Sequence, residues 1–128
     1  MSTRRSIDPP GIPGHKNPVP LASVVGNILM SSAIMGQDPE TGAFPADRAQ
    51  QVALAFDALG AVLETARARA DQVVKMDLYL ADKADRELVN PHWLEMFPDA
   101  ASRPARHALQ AELPPGCCIQ IVIMAVLG

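Results

Sequence analysis

Arg106 lies in an alternating segment, SRPARHALQAEL (102–113), that has the pattern of a β-strand. A strand interior rarely carries an arginine unless a negative group lies nearby. Guanidinium is always charged, and its planar fork of N–H donors fits a carboxylate through two hydrogen bonds. Two interpretations remain open: Arg106 pairs with an internal acid such as Glu112 or Asp99, or it binds the carboxylate of a small ligand.

Gln120 is the only polar side chain in the interior of the apolar segment CCIQIVIMAVL (117–127). An amide donates and accepts hydrogen bonds, but it cannot take up a proton as a base. The three histidines, His15, His92 and His107, are scattered without the spacing of a metal site. We therefore predict no bound metal.

Cys117 and Cys118 are adjacent, and they are the only cysteines in the chain. On a strand their side chains would point to opposite faces, which argues against a disulfide between them. Cysteine is often a small buried apolar residue, and that interpretation is favoured here over a redox or metal-binding role. Free thiols and the lack of an apolar signal segment near the N-terminus predict a cytoplasmic protein.

The composition narrows the class of protein. A length of 128 residues with 48% hydrophobic residues suits one domain with a substantial core. The net charge of -3, with one Trp, one Tyr and three Phe, argues against nucleic acid as a partner, because phosphate binding needs a basic face and base stacking needs aromatic rings. No apolar run reaches the roughly 20 residues that span a bilayer. We expect neither a nucleic-acid nor a membrane partner.

Hydrophobic periodicity predicts the elements that must position these residues. Asp47 and Gln50 resemble a capping box before a helix, and Asn90 followed by Pro91 is typical of a helix start. The prediction is an irregular arm over 1–20, strands over 21–25 and 27–35, a loop over 36–47, a helix over 48–68, a strand over 72–81, a helix over 91–97, and strands over 104–111 and 117–127. No linker or repeat divides them, so residues 1–128 are predicted to form one α+β domain.

The last predicted strand is apolar on both faces. Ile119, Ile121 and Ile123 alternate with Val122, Met124 and Val126. A sheet covered by helices on one side only should have a polar second face. The pattern therefore predicts that another copy of the chain covers the second face.

The order of these elements and several short segments resemble the RidA/YjgF family of reactive-imine deaminases, formerly labelled endoribonuclease L-PSP. The resemblance runs from about Pro18 to Val126. The matching segments are VGNILMSSA, DPETG, PADRAQQ, VVKMDLYLAD, RPAR and ELPPG. The resemblance implies a fold like that of chorismate mutase, in the order β-β-α-β-α-β-β, with two helices on one face of a mixed sheet. It also implies a homotrimeric barrel whose ligand clefts lie between subunits.

The resemblance also implies a chemistry and a set of site residues. Arg106 matches the arginine that holds the carboxylate of a 2-imino or 2-enamino acid. Ser32 matches a serine that lines the cleft, Ala33 stands where a glycine is usual, and Asn90 matches an asparagine near the cleft. Ser32 is equally a small strand residue bonded to backbone, and Asn90 is equally a helix cap. His107 follows the arginine and points away from it on a strand.

Gln120 stands where many members of the family carry a glutamate that positions the hydrolytic water. His15 lies where the family places residues that close the cleft. The leading hypothesis is hydrolysis of 2-enamino and 2-imino acids to 2-keto acids and ammonia without a cofactor, with Arg106 and Gln120 as the catalytic residues. The alternative is a non-enzymatic trimer that binds or senses small carboxylates. Cleavage of RNA is disfavoured by the acidic charge and by the lack of a paired-histidine motif.

Overall fold

The computed structural model describes residues 3–128. Its strands and helices, in chain order, are β1 (Arg5–Ile7), β2 (Ala22–Val25), β3 (Ile28–Ser31), β4 (Ile34–Met35), α1 (Arg48–Ala66), β5 (Val73–Leu80), α2 (Arg86–Met96), β6 (Ala105–Gln110) and β7 (Ile119–Val126). Short 3₁₀ turns lie at Ala70–Gln72 and Lys83–Asp85.

The strands form one mixed sheet in the order β1-β2-β3-β7-β5-β6, and β4 pairs with β7 beyond the end of β3. Strands β5 and β6 are parallel, whereas every other neighbouring pair is antiparallel. Parallel neighbours need a crossover connection, which α2 supplies between β5 and β6. The α+β class with two helices on a mixed sheet is confirmed.

Helix α1 begins at Arg48, as its sequence predicts, with Asp47 as its cap. The carboxylate of Asp47 accepts hydrogen bonds from the backbone N–H groups of Ala49 and Gln50, which satisfies donors that the first turn leaves free. The helix ends at Ala66, two residues earlier than predicted, because Arg67 adopts a left-handed conformation at φ 59°. Its apolar stripe is buried against the sheet through residues that include Val52, Phe56, Leu59 and Leu63.

The arm over 1–20 is not wholly irregular, and that prediction is wrong for its first part. Arg5–Ile7 forms β1 on the edge of the sheet, where Ile7 pairs with Ala22 and is buried in the core. The carboxylate of Asp8 then accepts a hydrogen bond of 3.1 Å from the N–H of Leu21. The proline-rich sequence around β1 hides a strand that is only three residues long.

Helix α2 begins five residues earlier than predicted, and Asn90 is not its cap. Asp82 caps the 3₁₀ turn through the N–H of Ala84, and that turn leads directly into Arg86. Pro91 is therefore inside the helix. A proline there removes one N–H donor, so the carbonyl of Glu87 loses its helical partner. Glu87 lies on an exposed side of the helix, where water can replace that bond.

The predicted strand over 27–35 is two strands separated by a bulge. Met30 pairs with Met124, whereas Ile34 pairs with Ile121, so three residues over 31–33 oppose two on β7. The hydroxyl of Ser31 accepts a hydrogen bond of 2.8 Å from the N–H of Ile123 and so satisfies a backbone donor within the bulge. Bulges of this kind bend a strand and are frequent beside functional sites.

The two faces of the sheet differ in what covers them. Side chains such as Met76, Leu78 and Ile121 point toward the helices and are fully buried. The other face is uncovered within the subunit. It carries polar residues such as Asp77 and His107, but the apolar side chains of Val25, Met30, Leu109 and Val126 are also exposed there. Within residues 3–128, neither helix has the length and apolar character needed to cross a bilayer.

Candidate functional site

Arg106 extends from β6 toward the helix-covered side of the sheet. It pairs in register with the buried Met76, and its guanidinium carbon lies 5.0 Å from the ring centroid of Trp93 on α2. A cation over an indole face is attracted by the ring's negative charge distribution. Partial burial, and then the positive charge of Arg86, lower the pKa of Arg106 from its ordinary value.

The guanidinium of Arg106 has no acidic partner among residues 3–128. Asp99, one of the two acids considered as partners, instead accepts a hydrogen bond of 2.9 Å from the N–H of Ala101. Glu112, the other, lies beyond the end of β6 and forms no ion pair within the same residues. Among the described residues, Arg106 therefore forms no ion pair with either acid. Its guanidinium N–H groups are free to bind a carboxylate.

Gln120 points the opposite way, into a cavity of about 320 Å³ on the uncovered side of the sheet. Its amide nitrogen lies 3.6 Å from the sulfur of Met35, a weak acceptor that faces it across the β4–β7 pair. The cavity is lined by the arm, the bulge and the loop before β7, namely Gly14, His15, Lys16, Asn17, Ala33, Met35, Gln37, Phe44, Pro114 and Gln120. The amide can hold a water molecule there.

A single subunit does not bring Arg106 and Gln120 together. Gln120 on β7 pairs with Tyr79 on β5, and Tyr79 pairs with Leu109 on β6. Arg106 lies three positions before Leu109, so it is two strands and three positions away from Gln120. Strand spacing and rise then separate their Cα atoms by about 14 Å, and the side chains leave opposite faces. Within one subunit, the two predicted catalytic residues therefore lie in two separate regions.

Ala33 lies close to Gln120. It lies in the bulge and lines the same cavity. Ser32 precedes it, and its N–H donates a hydrogen bond of 2.8 Å to the carbonyl of Leu21. That bond is made by the main chain of Ser32, whereas the serine hydroxyl that bonds to backbone in this bulge is that of Ser31.

Asn90 lies on α2, the helix whose Trp93 contacts Arg106. Positions 86, 90 and 93 are spaced by one and two helical turns, so Asn90 shares one side of α2 with Trp93. His107, by contrast, lies on the uncovered face opposite Asp77, whereas Arg106 faces the helices. The structure thus separates His107 from Arg106, as strand alternation predicts.

Gln51 is a residue of this region that the sequence patterns missed. It is buried, its amide nitrogen donates to the carbonyls of Pro45 and Gly116 at 3.0 Å each, and its oxygen accepts from the N–H of Cys118 at 2.6 Å. These bonds join α1 to both loops that border the cavity. Gly36 packs so closely against the Gln51 carbonyl that a Cβ would overlap it. The signal in the sequence is a polar residue on the buried stripe of a helix.

His15 is placed in the cavity of Gln120 by the returning arm. Its Nε2 atom is buried and has no hydrogen-bond partner among residues 3–128. This position fits the expectation that the arm closes the cleft. Within the same residues, no cluster of three His, Cys, Asp or Glu side chains is arranged to hold a metal ion.

The two cysteines lie just before β7, whose first residue is Ile119, so they are not part of the strand as predicted. Both are buried and free. Burial, and then the negative charge of Asp85, raise the pKa of Cys118 to about 11, and burial likewise raises the pKa of Cys117. Such thiols stay protonated at neutral pH, which fits small buried residues better than a reactive pair.

Comparison with known proteins places this chain among a group of related sequences. The sequence profile of the family described as endoribonuclease L-PSP matches residues 17–127. A human protein named 2-iminobutanoate/2-iminopropanoate deaminase is 32% identical over 127 residues, covering 98% of this chain and 91% of its own. The Escherichia coli protein of that name is 32% identical over 104 residues, covering 80% of this chain and 81% of its own.

The fold is also similar to solved structures. The crystal structure of the YjgF gene product of Escherichia coli superposes with a TM-score of 0.83 at 27% identity, covering 95% of this chain and 98% of that one. The crystal structure of RidA from the Antarctic bacterium Psychrobacter sp. PAMC 21119 superposes with a TM-score of 0.86 at 27% identity, covering 96% and 99%.

Proposed function

Because the chain belongs to the RidA/YjgF family, whose sequence profile is that of endoribonuclease L-PSP, we propose that it hydrolyses reactive 2-enamino and 2-imino acids to 2-keto acids and ammonia. The observation that carries this proposal is the Arg106 guanidinium, which is stacked on Trp93 and has no internal acid among residues 3–128 to neutralise it. The names of the human and Escherichia coli relatives supply the reaction class.

In the proposed mechanism, Arg106 binds the substrate carboxylate through two parallel N–H···O bonds. Charge-assisted hydrogen bonds of this kind are worth about 1.5–3 kcal/mol each. Trp93 keeps the guanidinium in one orientation, so less side-chain entropy is lost when the ligand binds. The arginine thus fixes the distance from the carboxylate to the imine carbon.

The chemical step needs a proton and a water molecule. Protonation of the enamine carbon gives an iminium ion, and water adds to its carbon while losing a proton to solvent. The tetrahedral product then expels ammonia as the carbonyl forms. The Gln120 amide accepts a hydrogen bond from the attacking water and orients it, but it does not remove the proton. No cofactor is required, because the imine carbon is already electrophilic.

We propose that the complete site forms between subunits of a homotrimer. Arg106 lies on β6, the last strand at one edge of the sheet, and Gln120 lies on the uncovered face. The uncovered face exposes the apolar side chains of Val25, Met30, Leu109 and Val126, which favours its burial by another copy. A neighbouring subunit that covers this face can bring its own Arg106 to the Gln120 cavity. The substrate is then a small 2-imino acid held across the cleft.

The test is to generate 2-iminopropanoate or 2-iminobutanoate in situ with an amino-acid oxidase and measure release of ammonia or keto acid. Free imines also hydrolyse in water, so the control is the same reaction without protein. We expect the wild-type protein to accelerate release and Arg106→Ala to return it to the uncatalysed rate. Equal rates with and without wild-type protein would refute the deaminase.

A second function is favoured by Gln120. Without an acid at this position, the site has a carboxylate anchor but no side-chain base beside Gln120 on its strand. A trimer that binds 2-keto acids without turnover fits that arrangement. The two functions differ in one result: calorimetry would detect Arg106-dependent binding of 2-oxobutanoate in both, whereas imine hydrolysis would occur only in the enzyme.

A further inference from the structure

The helix that carries Trp93 presents a second arginine beside the candidate carboxylate anchor. Arg86, Asn90 and Trp93 are spaced i, i+4 and i+7 along α2, so they lie on one side of the helix. The Arg106 guanidinium rests on Trp93. The side of α2 that meets Arg106 therefore also carries Arg86.

Strand β6 lies against the side of α2 that carries Trp93. Arg106, Ala108 and Gln110 point to one face, because side chains alternate along a strand. The Gln110 oxygen accepts a hydrogen bond of 3.0 Å from the N–H of Lys83, which places the end of β6 beside the turn that leads into Arg86. Ala108, between Arg106 and Gln110, contributes only a methyl group. The contact between β6 and α2 therefore has Arg106 toward one end and Arg86 toward the other.

Both arginines are free to bind an anion. The Nε of Arg86 donates a hydrogen bond of 3.1 Å to the Lys83 carbonyl, which fixes the stem of the side chain. Among residues 3–128, neither Arg86 nor Arg106 forms an ion pair. The nearby Asp85 does not neutralise Arg86, because its carboxylate lies 3.1 Å from Arg48. The charge of Arg86 also contributes to lowering the pKa of Arg106, which is consistent with their proximity.

We propose that Arg86 makes this site selective for dicarboxylic 2-imino and 2-keto acids of four or five carbons. Arg106 binds the carboxylate next to the imine, and Arg86 binds the distal carboxylate. Asn90 on α2 and Gln110 on β6 are exposed and offer amide donors to a ligand held between the two arginines. The assignment of the carboxylate next to the imine to Arg106 rests on the proposed function. The preference for a second carboxylate rests on Arg86.

The experiment compares Arg86→Gln with wild type on two imines generated in situ, 2-iminosuccinate and 2-iminopropanoate. Arg5→Gln removes the same charge from a distant exposed position and is the matched control. We expect Arg86→Gln to lower kcat/KM for 2-iminosuccinate about tenfold or more, which is the value of one charge-assisted bond. The value for 2-iminopropanoate should change less than about twofold, because that substrate has no second carboxylate. Equal losses on both imines, or no loss on either, would overturn the proposal.

A binding measurement separates this proposal from the deaminase. Calorimetry with oxaloacetate and 2-oxoglutarate, against pyruvate and 2-oxobutanoate, needs no turnover. Weaker binding of only the dicarboxylates by Arg86→Gln, without imine hydrolysis by any variant, would keep the selectivity and refute the enzyme. Hydrolysis of imines with dicarboxylate binding unchanged in Arg86→Gln would keep the enzyme and refute the selectivity.

Discussion

Arg106 and Gln120 leave the sheet from opposite faces, two strands apart, with Arg106 on the helix side and Gln120 in the cavity beneath the arm. Side chains on opposite faces of one sheet cannot meet a single small substrate. A site that uses both residues must take them from two subunits, and mixing experiments can measure this.

The first prediction concerns mixed assemblies. Arg106→Ala and Gln120→Leu are each expected to be inactive alone as homotrimers. Subunits mixed at equal ratio by co-expression or by refolding should regain about one quarter of the wild-type imine hydrolysis. At each interface of a random trimer, an intact Arg106 from one subunit meets an intact Gln120 from the next in about one case in four. Recovery of no activity in mixtures shown to contain both subunits would place both residues in one subunit's site.

The second prediction concerns the anchor. Arg106→Ala should abolish calorimetric binding of 2-oxobutanoate, since the carboxylate loses its charged partner. Arg106→Lys should restore little, because an ammonium group offers no planar fork. Circular dichroism should show both variants folded, since no ion pair within residues 3–128 is broken. An unfolded Arg106→Ala variant would mean that the arginine is structural.

The third prediction concerns water positioning. Gln120→Leu should reduce imine hydrolysis sharply while leaving 2-oxobutanoate binding intact, because the amide holds the water and not the carboxylate. Gln120→Glu adds a base, and general-base assistance is worth on the order of 100-fold. Repulsion between the new carboxylate and the substrate's carboxylate opposes that gain. Gln120→Glu should therefore gain rate most clearly at saturating substrate, where binding no longer limits turnover. Unchanged hydrolysis by Gln120→Leu would exclude a role for the amide.

The fourth prediction concerns Gln51. Gln51→Leu leaves the N–H of Cys118 and two loop carbonyls without partners, so chemical denaturation should show about 2–4 kcal/mol less stability. Gln50→Leu is the matched control, because Gln50 is exposed and adjacent, and it should change stability by less than about 0.5 kcal/mol. Equal losses in the two variants would argue against the buried hydrogen bonds.

The fifth prediction concerns alkaline pH. The pKa of Cys118 is raised to about 11 in the folded protein from an ordinary value of 9.0, so the folded state holds the proton that the unfolded chain releases. Stability should therefore decline between about pH 9 and 11, by up to about 1.4 kcal/mol per pH unit from this group. Cys118→Ala should remove that part of the decline in urea melts at several pH values. An identical pH profile in the variant would refute the assignment.

Periodicity along the sequence is sufficient to predict the longer elements. The stripe of α1 and the alternation of β5 and β7 each extend over eight or more residues, and the structure matches them to within two residues at each end. The start of α2 is not predicted in this way, because Asn90 and Pro91 are typical of a helix start, yet the cap at Asp82 acts earlier. The 3₁₀ turn capped by Asp82 starts the helix before the Asn90-Pro91 pair is reached.

The sequence predicts which residue types form the candidate site better than it predicts how they are arranged in space. Arg106 contacts Trp93 because the parallel pairing of β5 with β6 places β6 beside the helix of the crossover. That pairing depends on a crossover that no local pattern encodes. The position of Gln51 on the buried stripe of α1 can be read from the sequence, but its hydrogen bond to Cys118, 67 positions away, cannot.

The bulge over 31–33 contains one residue more than the hydrophobic core requires. Leu29 and Ile34 are both buried although they are five positions apart, an odd separation that an unbroken strand would place on opposite faces. A chain shorter by one residue here could pair regularly with β7 from Met30 onward and still keep Ile34 inward, opposite Ile121. Folding alone therefore does not explain the extra residue. The extra residue lies beside the cavity, where Ala33 forms part of the wall. Its effect is therefore on the shape of the cleft and not on the packing of the core.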